Sequence, residues 1–423
     1  MPTSRAIVPA VLREEPQFRL LFTGQLLSVL GDRVTMLVIP FAVLGIGGGA
    51  SGVVVVSVAQ FVPFVLLALP AGVLADRFER RLVMLASDLV RLGVQLVAGV
   101  ALLTGTASVP LLVGCALLFG AADAFFQPAV TGLLPATVAP RHLQPANALR
   151  GMTFSIGSIA GPVVGGGLIA LVGTGGAFLF DAATFAASAV TLLLLRPARQ
   201  QPEPAGEERG SAGGGRRFLA DLAAGWASVR SRRWVVVLLL AGVAYAVLVL
   251  PSITVLGPVL SGERFGGAAG WAVITAAFGA GALVGDLVLL RWRPRFALRV
   301  SAIALIGASC QALVIGSGLG TWPVALLEFM AGACVTAYFS LWETSLQEHV
   351  PGEELSRVAS FDYLTSVGTL PIGAVLAGAL AEWFGAGTAI LWMGAAGLVC
   401  ALGVVAVPAV RRLPRGTPSA TPV

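Results

Sequence analysis

Few residues in this chain can carry acid–base or ionic chemistry, and their positions are informative. Asp, Glu, Lys and Arg make up 11% of the 423 residues, against 57% hydrophobic side chains. Yet the segment GVLADRFERR, residues 72–81, crowds Asp76, Arg77, Glu79, Arg80 and Arg81 between two long apolar runs. Elsewhere single charges interrupt apolar runs: Asp32 beside Arg33, then Asp88 with Arg91, Arg150, Asp181, Asp286 and Glu328. A charge in the middle of a membrane-spanning helix costs about 2.5–3.5 kcal/mol on insertion scales, so each invites a functional role. Asp32 is the sharpest case. A low-dielectric surround disfavours the charged form of a carboxyl, which suits Asp32 to taking and releasing a proton. The competing reading is a structural salt bridge to Arg91 or another partner. Glu328 is a candidate for a cation or a second proton. Asp88 and Arg91 stand three residues apart on one helix and can pair with each other. Arg150 and Asp286 are candidates for a contact between spans five and eight.

These residues must be positioned by long apolar elements. The hydrophobic fraction exceeds the roughly 45–50% of soluble domains, and mean hydropathy is +0.90. Runs of about 20 apolar residues, the length that crosses a bilayer, recur throughout. The expectation is an all-α, polytopic membrane protein with twelve spans. They are placed at about 18–46, 50–75, 81–105, 109–127, 147–172, 176–195, 234–260, 267–290, 298–318, 322–344, 357–381 and 386–408. No cleavable signal is read at the start, so the first span serves as the insertion signal. The chain contains no lysine: all 27 basic residues are arginine. That excludes a P-loop, which needs a lysine on phosphate, and Schiff-base chemistry. His142 and His349, both expected in loops, do not make a metal site. Cys115, Cys310, Cys334 and Cys400 fall in apolar segments and read as small packing residues. No metal or cofactor is expected.

Arginine placement sets the orientation. Arg33, Arg91 and Arg150 fall within spans and Arg264 on the far side; the others lie on the side of the amino terminus. The positive-inside rule then places both termini and the central linker in the cytoplasm. The net charge of +6 favours anionic inner-leaflet lipid. Nucleic acid is not an expected partner, because no basic patch is interleaved with aromatics. Four regions follow: a six-helix bundle over residues 1–195, a linker over 196–233, a second six-helix bundle over 234–410 and a tail over 411–423. In the linker, Phe218, Leu222 and Trp226 form one apolar stripe of a surface helix, or else the frayed start of span seven. The chain also resembles itself at an offset of 212 residues. Gly120 falls on Gly332, Gly161 on Gly373, Gly166 on Gly378, Gly173 on Gly385 and Gly175 on Gly387. Two six-span halves in the same orientation would put a substrate site near the midplane between them.

Residues 72–81 resemble the loop signature of the major facilitator superfamily, met here by Gly72, Leu74, Ala75, Asp76, Arg77, Arg80 and Arg81. Glu79 departs from the pattern, which has Gly there, and is placed to pair with a nearby arginine. The resemblance implies a gate latch, with Asp123 the acid matched to Arg77 and the helix start around Arg357–Asp362 matched to Asp76. The alternative for Arg80 and Arg81 is that they serve orientation alone. GSIAGPVVGGG, with Gly157, Gly161, Pro162, Gly165 and Gly166, resembles the antiporter signature of exporting branches, with Ala148 in place of its leading glycine. Pro162 removes one backbone hydrogen bond, and the glycines allow a kink and close packing; ordinary small-residue packing is the alternative. SVLGDRVTMLVIPFAVL and LQPANALRG…FLFDAATFAAS are similar to the bacterial drug-efflux and siderophore-export branch, which contains macrolide-efflux and enterobactin-exporter-like proteins.

The resemblance implies that Asp181 in span six is a packing acid outside the cavity. It implies a cavity drawing on Phe61, Phe125, Tyr245, Phe278, Tyr338 and Trp342, apolar enough for an amphipathic cargo. Glu343, Glu348, Glu353 and Glu354 are expected to be solvated. The function expected is an inner-membrane exporter of lipophilic small molecules, not an enzyme, powered by a proton gradient through alternating access, and monomeric by default. Its partners would be a small-molecule substrate, protons and membrane lipid. A dedicated siderophore or secondary-metabolite exporter, an importer and a non-transporting sensor remain alternatives.

Overall fold

A computed structural model describes residues 10–196 and 226–414. Within them, the side chains of residues 68, 69, 72–77, 352, 353, 356, 357, 359, 360, 363 and 367 are outside the description. The latch residues Gly72, Asp76 and Arg77 and the candidate helix-start residue Arg357 are among these, and Phe218 and Leu222 of the linker stripe also lie outside the described residues. Every regular element described is helical. The chain divides into two compact units, Met1–Glu203 and Pro204–Val423.

In the amino-terminal unit, α1 (Ala10–Glu14) leads into α2 (Pro16–Gly45), α3 (Gly49–Arg77), α4 (Arg80–Leu103), α5 (Val109–Leu133) and α6 (Leu143–Leu194). Pro16 opens α2, where its missing N–H would have no partner anyway. Ser108 caps α5 by accepting from the Leu111 N–H at 3.4 Å. The uncharged turn expected between spans five and six appears as a break inside α6. Gly173, at φ 73° and ψ 178°, interrupts 52 residues of otherwise helical backbone. A straight helix of that length would run roughly 78 Å, far beyond a bilayer core of about 30 Å. The backbone keeps helical angles through Pro162.

The carboxyl-terminal unit contains α7 (Arg233–Ala244), α8 (Gly257–Arg264), α9 (Ala268–Arg291), α10 (Ala297–Gly316), α11 (Thr321–His349), α12 (Gly352–Gly368), α13 (Leu370–Phe384), α14 (Ala386–Ala406) and the short α15 (Pro408–Arg411). Two π-helical turns, Tyr245–Val249 and Ser252–Leu256, join α7 to α8 around Pro251. Proline cannot donate the normal helical bond, and the backbone accommodates it by widening. Span eleven, expected as one helix, is interrupted at Thr369, two residues before Pro371. His349 closes α11 instead of standing in a loop. Among the described residues, eleven helical stretches are long and apolar enough to cross a membrane.

The 212-residue offset reappears as repeated contacts inside each unit. Gly120 on α5 packs against the Gln60 backbone of α3, and Gly332 on α11 against the Phe278 backbone of α9. Gly161 on α6 packs against Arg33 of α2, and Gly373 on α13 against Val247 and Pro251. Gly173 and Gly385, the matched pair at the last turn of each unit, both have positive φ, 73° and 81°, a region costly to residues with a Cβ.

The start of α2 is tied to the chain after α5. The Glu15 carboxylate accepts the Ala139 N–H at 3.0 Å and stands 2.8 Å from His142 Nδ1. Glu14 lies 3.4 Å from Arg141. The Ala139 N–H, then His142, hold the Glu15 carboxyl below its ordinary range. Because the folded value is the lower one, this tie is complete above the ordinary carboxylate value and is lost as pH falls through the lowered one. Glu15→Gln should therefore lower the melting temperature at neutral pH and remove part of the acid-side loss of stability, as measured by thermal unfolding in detergent across pH.

Candidate functional site

The interior of the amino-terminal unit holds a cluster of ionisable groups around Arg91 of α4, whose side chain is 1% exposed. Its Nη2 meets Asp88 Oδ1 at 2.5 Å, and Ser188 on α6 donates to the other Asp88 oxygen at 2.7 Å. The rings of Phe126 and Phe185 lie 4.1 and 4.5 Å from the guanidinium carbon. A cation held between two ring faces gains quadrupole attraction where water is absent. The other terminal nitrogen, Nη1, stands 3.5 Å from Asp123 of α5 and 3.9 Å from Asp32 of α2. Both separations exceed those of a well-formed hydrogen bond. Asp32 Oδ1 and Arg91 Nε are buried with no hydrogen-bond partner among the described groups.

A second buried set adjoins it on the same face of α4. Asp181 of α6 accepts from Thr35 of α2 at 2.7 Å, from Gln95 of α4, and from Thr184 at 3.1 Å. Gly31 makes room for it, since a Cβ there would collide with Asp181 and Thr184. A cavity of about 30 Å³ lies beside this set among Thr35, Gln60, Gln95, Cys115 and Phe119.

The carboxyl-terminal unit carries its own polar chain. Tyr245 donates to Gln311 at 2.9 Å, and the Gln311 amide donates to Glu328 at 2.9 Å. Glu328 is buried, and its Oε1 has no hydrogen-bond partner among the described residues.

The structure thus brings Asp32 and Asp123 together at Arg91, which the sequence offered as a partner of Asp88 and, in the competing reading, of Asp32. Asp123, expected beside Arg77, faces Arg91. Glu79 pairs with Arg81 at 3.2 Å, and Arg81 also donates to the Leu195 carbonyl at 2.7 Å. Asp362 accepts from Trp342 Nε1 at 3.1 Å. Tyr245, Tyr338 and Trp342, expected to line a cavity, are buried in packing: Tyr338 lies 6.5 Å from Tyr245, and Trp342 lies 5.8 Å from Trp234. Phe61, Phe125 and Phe278 are half-buried. Gly157, Gly161 and Gly165 line up against α2 at Val29, Arg33, Val34 and Leu37, whereas Gly166 is buried and Pro162 half-buried. Glu354, expected to be solvated, pairs with Arg232 at 2.8 Å. Trp226 lies 6.0 Å from Phe361.

Gln95, Thr35, Thr184, Ser188 and Gln311 escaped sequence reasoning. Their signal was spacing. Asp88, Arg91 and Gln95 share one face of α4, and Asp181, Thr184, Ser188 and Thr191 recur at intervals of three and four on α6.

Comparison with known proteins agrees with this architecture. Residues 21–366 match the sequence profile of the Major Facilitator Superfamily. The multidrug efflux pump Tap of Mycolicibacterium fortuitum is 30% identical over 401 residues, covering 90% of this chain and 93% of that protein. Macrolide efflux protein A of Streptococcus pyogenes is 24% identical over 383 residues, covering 87% and 90%. Among solved structures, a peptide transporter POT in complex with sulfate superposes with a TM-score of 0.74 at 13% identity over 95% of this chain and 96% of that one. The nucleoside transporter NupG superposes at 0.70 with 15% identity, covering 93% and 99%. The chain belongs to the Major Facilitator Superfamily, and its relatives are drug-efflux proteins of that superfamily. It is a multi-pass membrane transporter of small molecules and not an enzyme.

The α2–α6 contact leaves no room for a larger residue at Gly161. A Cβ on Gly161 would collide with Arg33 Cβ and reach 3.1 Å from its carbonyl carbon. Gly161→Ala should cost about 1–3 kcal/mol through overpacking, read as a lower midpoint of thermal unfolding in detergent. Gly167→Ala, whose Cβ would meet nothing within 4 Å, should leave the midpoint nearly unchanged.

Proposed function

We propose that this protein exports lipophilic or amphipathic small molecules from the bacterial cytoplasm in exchange for protons, by alternating access. Twelve crossings of the inner membrane with both termini cytoplasmic fit the break at Gly173, which would divide α6 into two spans. The drug-efflux names of the relatives support the cargo class. The observation that carries the exchange is the ionisable cluster of Asp32, Asp88, Arg91 and Asp123 inside spans, where ionisable groups are costly and serve relay or coupling roles by default. Asp32 is the proposed coupling acid, and Glu328, with its unpartnered oxygen, the second. No cofactor is called for, since the proton gradient supplies the energy. The 72–81 turn is the proposed latch on its motif alone, and a monomer is the proposed working unit.

In proteoliposomes containing a trapped pH dye, adding a macrolide outside should drive protons out, and protein-free vesicles should show only the passive response. Asp32→Asn should abolish the protein-dependent signal, and Glu328→Gln should reduce it. Macrolide flux that proceeds with no proton movement would remove the antiport, and undiminished proton exchange in Asp32→Asn would remove Asp32 from coupling.

A further inference from the structure

We infer that Asp32 and Asp123 share one exchangeable proton, held over the single Nη1 of Arg91. This makes Asp123 a proton carrier of the amino-terminal unit. The inference deepens the proposed antiport and names a second acid for it.

The three acids around Arg91 are not equivalent. Asp88 is fully buried, takes Nη2 at 2.5 Å and has a serine on its other oxygen. It is the fixed counter-ion. Asp32 and Asp123 come from different helices, α2 and α5, and flank the same nitrogen at 3.9 and 3.5 Å. Neither is hydrogen-bonded to it. Their side chains keep 32% and 28% exposure, where Asp88 has none, so these two acids alone of the three are open to proton exchange.

Charge counting leads to the same pair. The charged groups facing Asp32 are Arg91 and Asp88 on α4, Asp123 on α5 and Asp181 on α6. Those facing Asp123 are Arg91 and Asp88 on α4 and Asp32 on α2, with Gln127 on its own helix. Asp181 already accepts three hydrogen bonds from Thr35, Gln95 and Thr184, so its charge is met by local dipoles. Asp88 already meets the charge of Arg91, which leaves Asp32 and Asp123 as two carboxylates beside one terminal nitrogen of a neutralised pair. A low-dielectric interior strongly disfavours two such uncompensated charges, and one proton held between the acids removes one of them. Two carboxylates flanking one guanidinium nitrogen whose charge is already met cannot both be ionised there without mutual repulsion.

The exchange balances simply. The O–H bond of the protonated acid breaks as the other carboxylate takes the proton, directly or through water. The newly ionised acid then becomes the partner of Nη1. Whichever acid is ionised is drawn towards α4, so proton position biases α2 against α5.

Infrared difference spectroscopy on the purified full-length protein reads protonated carboxyls directly through their C=O stretch. Against wild type, Asp32→Asn, Asp123→Asn and the double variant should each lose the same single band. A shared proton has this signature because removing either acid leaves the other free to ionise against Arg91. Loss in one single variant alone, or a double variant losing twice what each single loses, overturns the inference. Asp32→Glu and Asp123→Glu keep both acids and should each retain the band at a shifted frequency. A band unmoved by both also overturns it, so the test does not depend on the asparagine variants folding. The spectra are recorded without substrate or gradient. A shared band in a protein that moves no protons against cargo would therefore fail the antiport reading and leave this inference standing.

Discussion

A guanidinium sealed inside a bundle of membrane helices has to be neutralised on the spot, and the amino-terminal unit is arranged around that requirement. Arg91 cannot reach water, so α2, α5 and α6 each bring something to it. Asp32 comes from the first, Asp123 and Phe126 from the second, Ser188 and Phe185 from the third. Asp88 lies one turn away on the same helix and completes the pair. A helix that slid along its neighbours would break one of these contacts and strand a charge. The cluster thereby fixes the register of four helices, and its two loosest members have geometry suited to exchange.

Glycines permit this crowding. α2 is pressed against both segments of α6, with Gly161 beneath Arg33 on one side and Gly31 above Asp181 on the other. The same small-residue strategy recurs in the carboxyl-terminal unit, where Gly332 and Gly373 allow α11 and α13 to approach their partners. Close backbone approach substitutes for the hydrophobic drive that is missing between helices in lipid. Among the described residues of that unit, no arginine is buried. The interior polar chain runs instead through neutral Tyr245 and Gln311 to the single acid Glu328.

Much of the helical layout was legible because it is written in runs and turns. Apolar stretches marked the helices, and the gap between the spans placed at 147–172 and 176–195 marked the turn at Gly173. The 212-residue offset anticipated that Gly120 and Gly332 would take matching packing positions. The interruptions at Tyr245–Val249, Ser252–Leu256 and Thr369 were less legible, because proline announces a disturbance without saying what geometry resolves it. At the candidate site, Asp32 and Arg91 were conspicuous as charges in apolar runs, and their pairing was one of the two readings open for Asp32, whereas Asp123 was matched to Arg77. That Asp123 meets the same nitrogen was not legible, since it lies on a third helix and only tertiary packing brings it there. Asp181 drew notice only as a packing acid. Its donors Thr35, Gln95 and Thr184 resemble the ordinary polar residues of membrane helices, and their meaning depends on facing it.

The dependence of the amino-terminal unit on the Asp88–Arg91 ion pair is open to direct measurement by a double-mutant cycle. Unfolding free energies of wild type, Asp88→Leu, Arg91→Met and the double variant would be compared in the same detergent. Breaking a buried pair from one side should cost about 3–5 kcal/mol. Removing both partners should then cost less than the sum of the single losses by more than about 1 kcal/mol, because neither charge is left stranded. Losses that add to within about 0.5 kcal/mol, as for independent sites, would show that Asp88 and Arg91 do not act as a unit and would contradict this account.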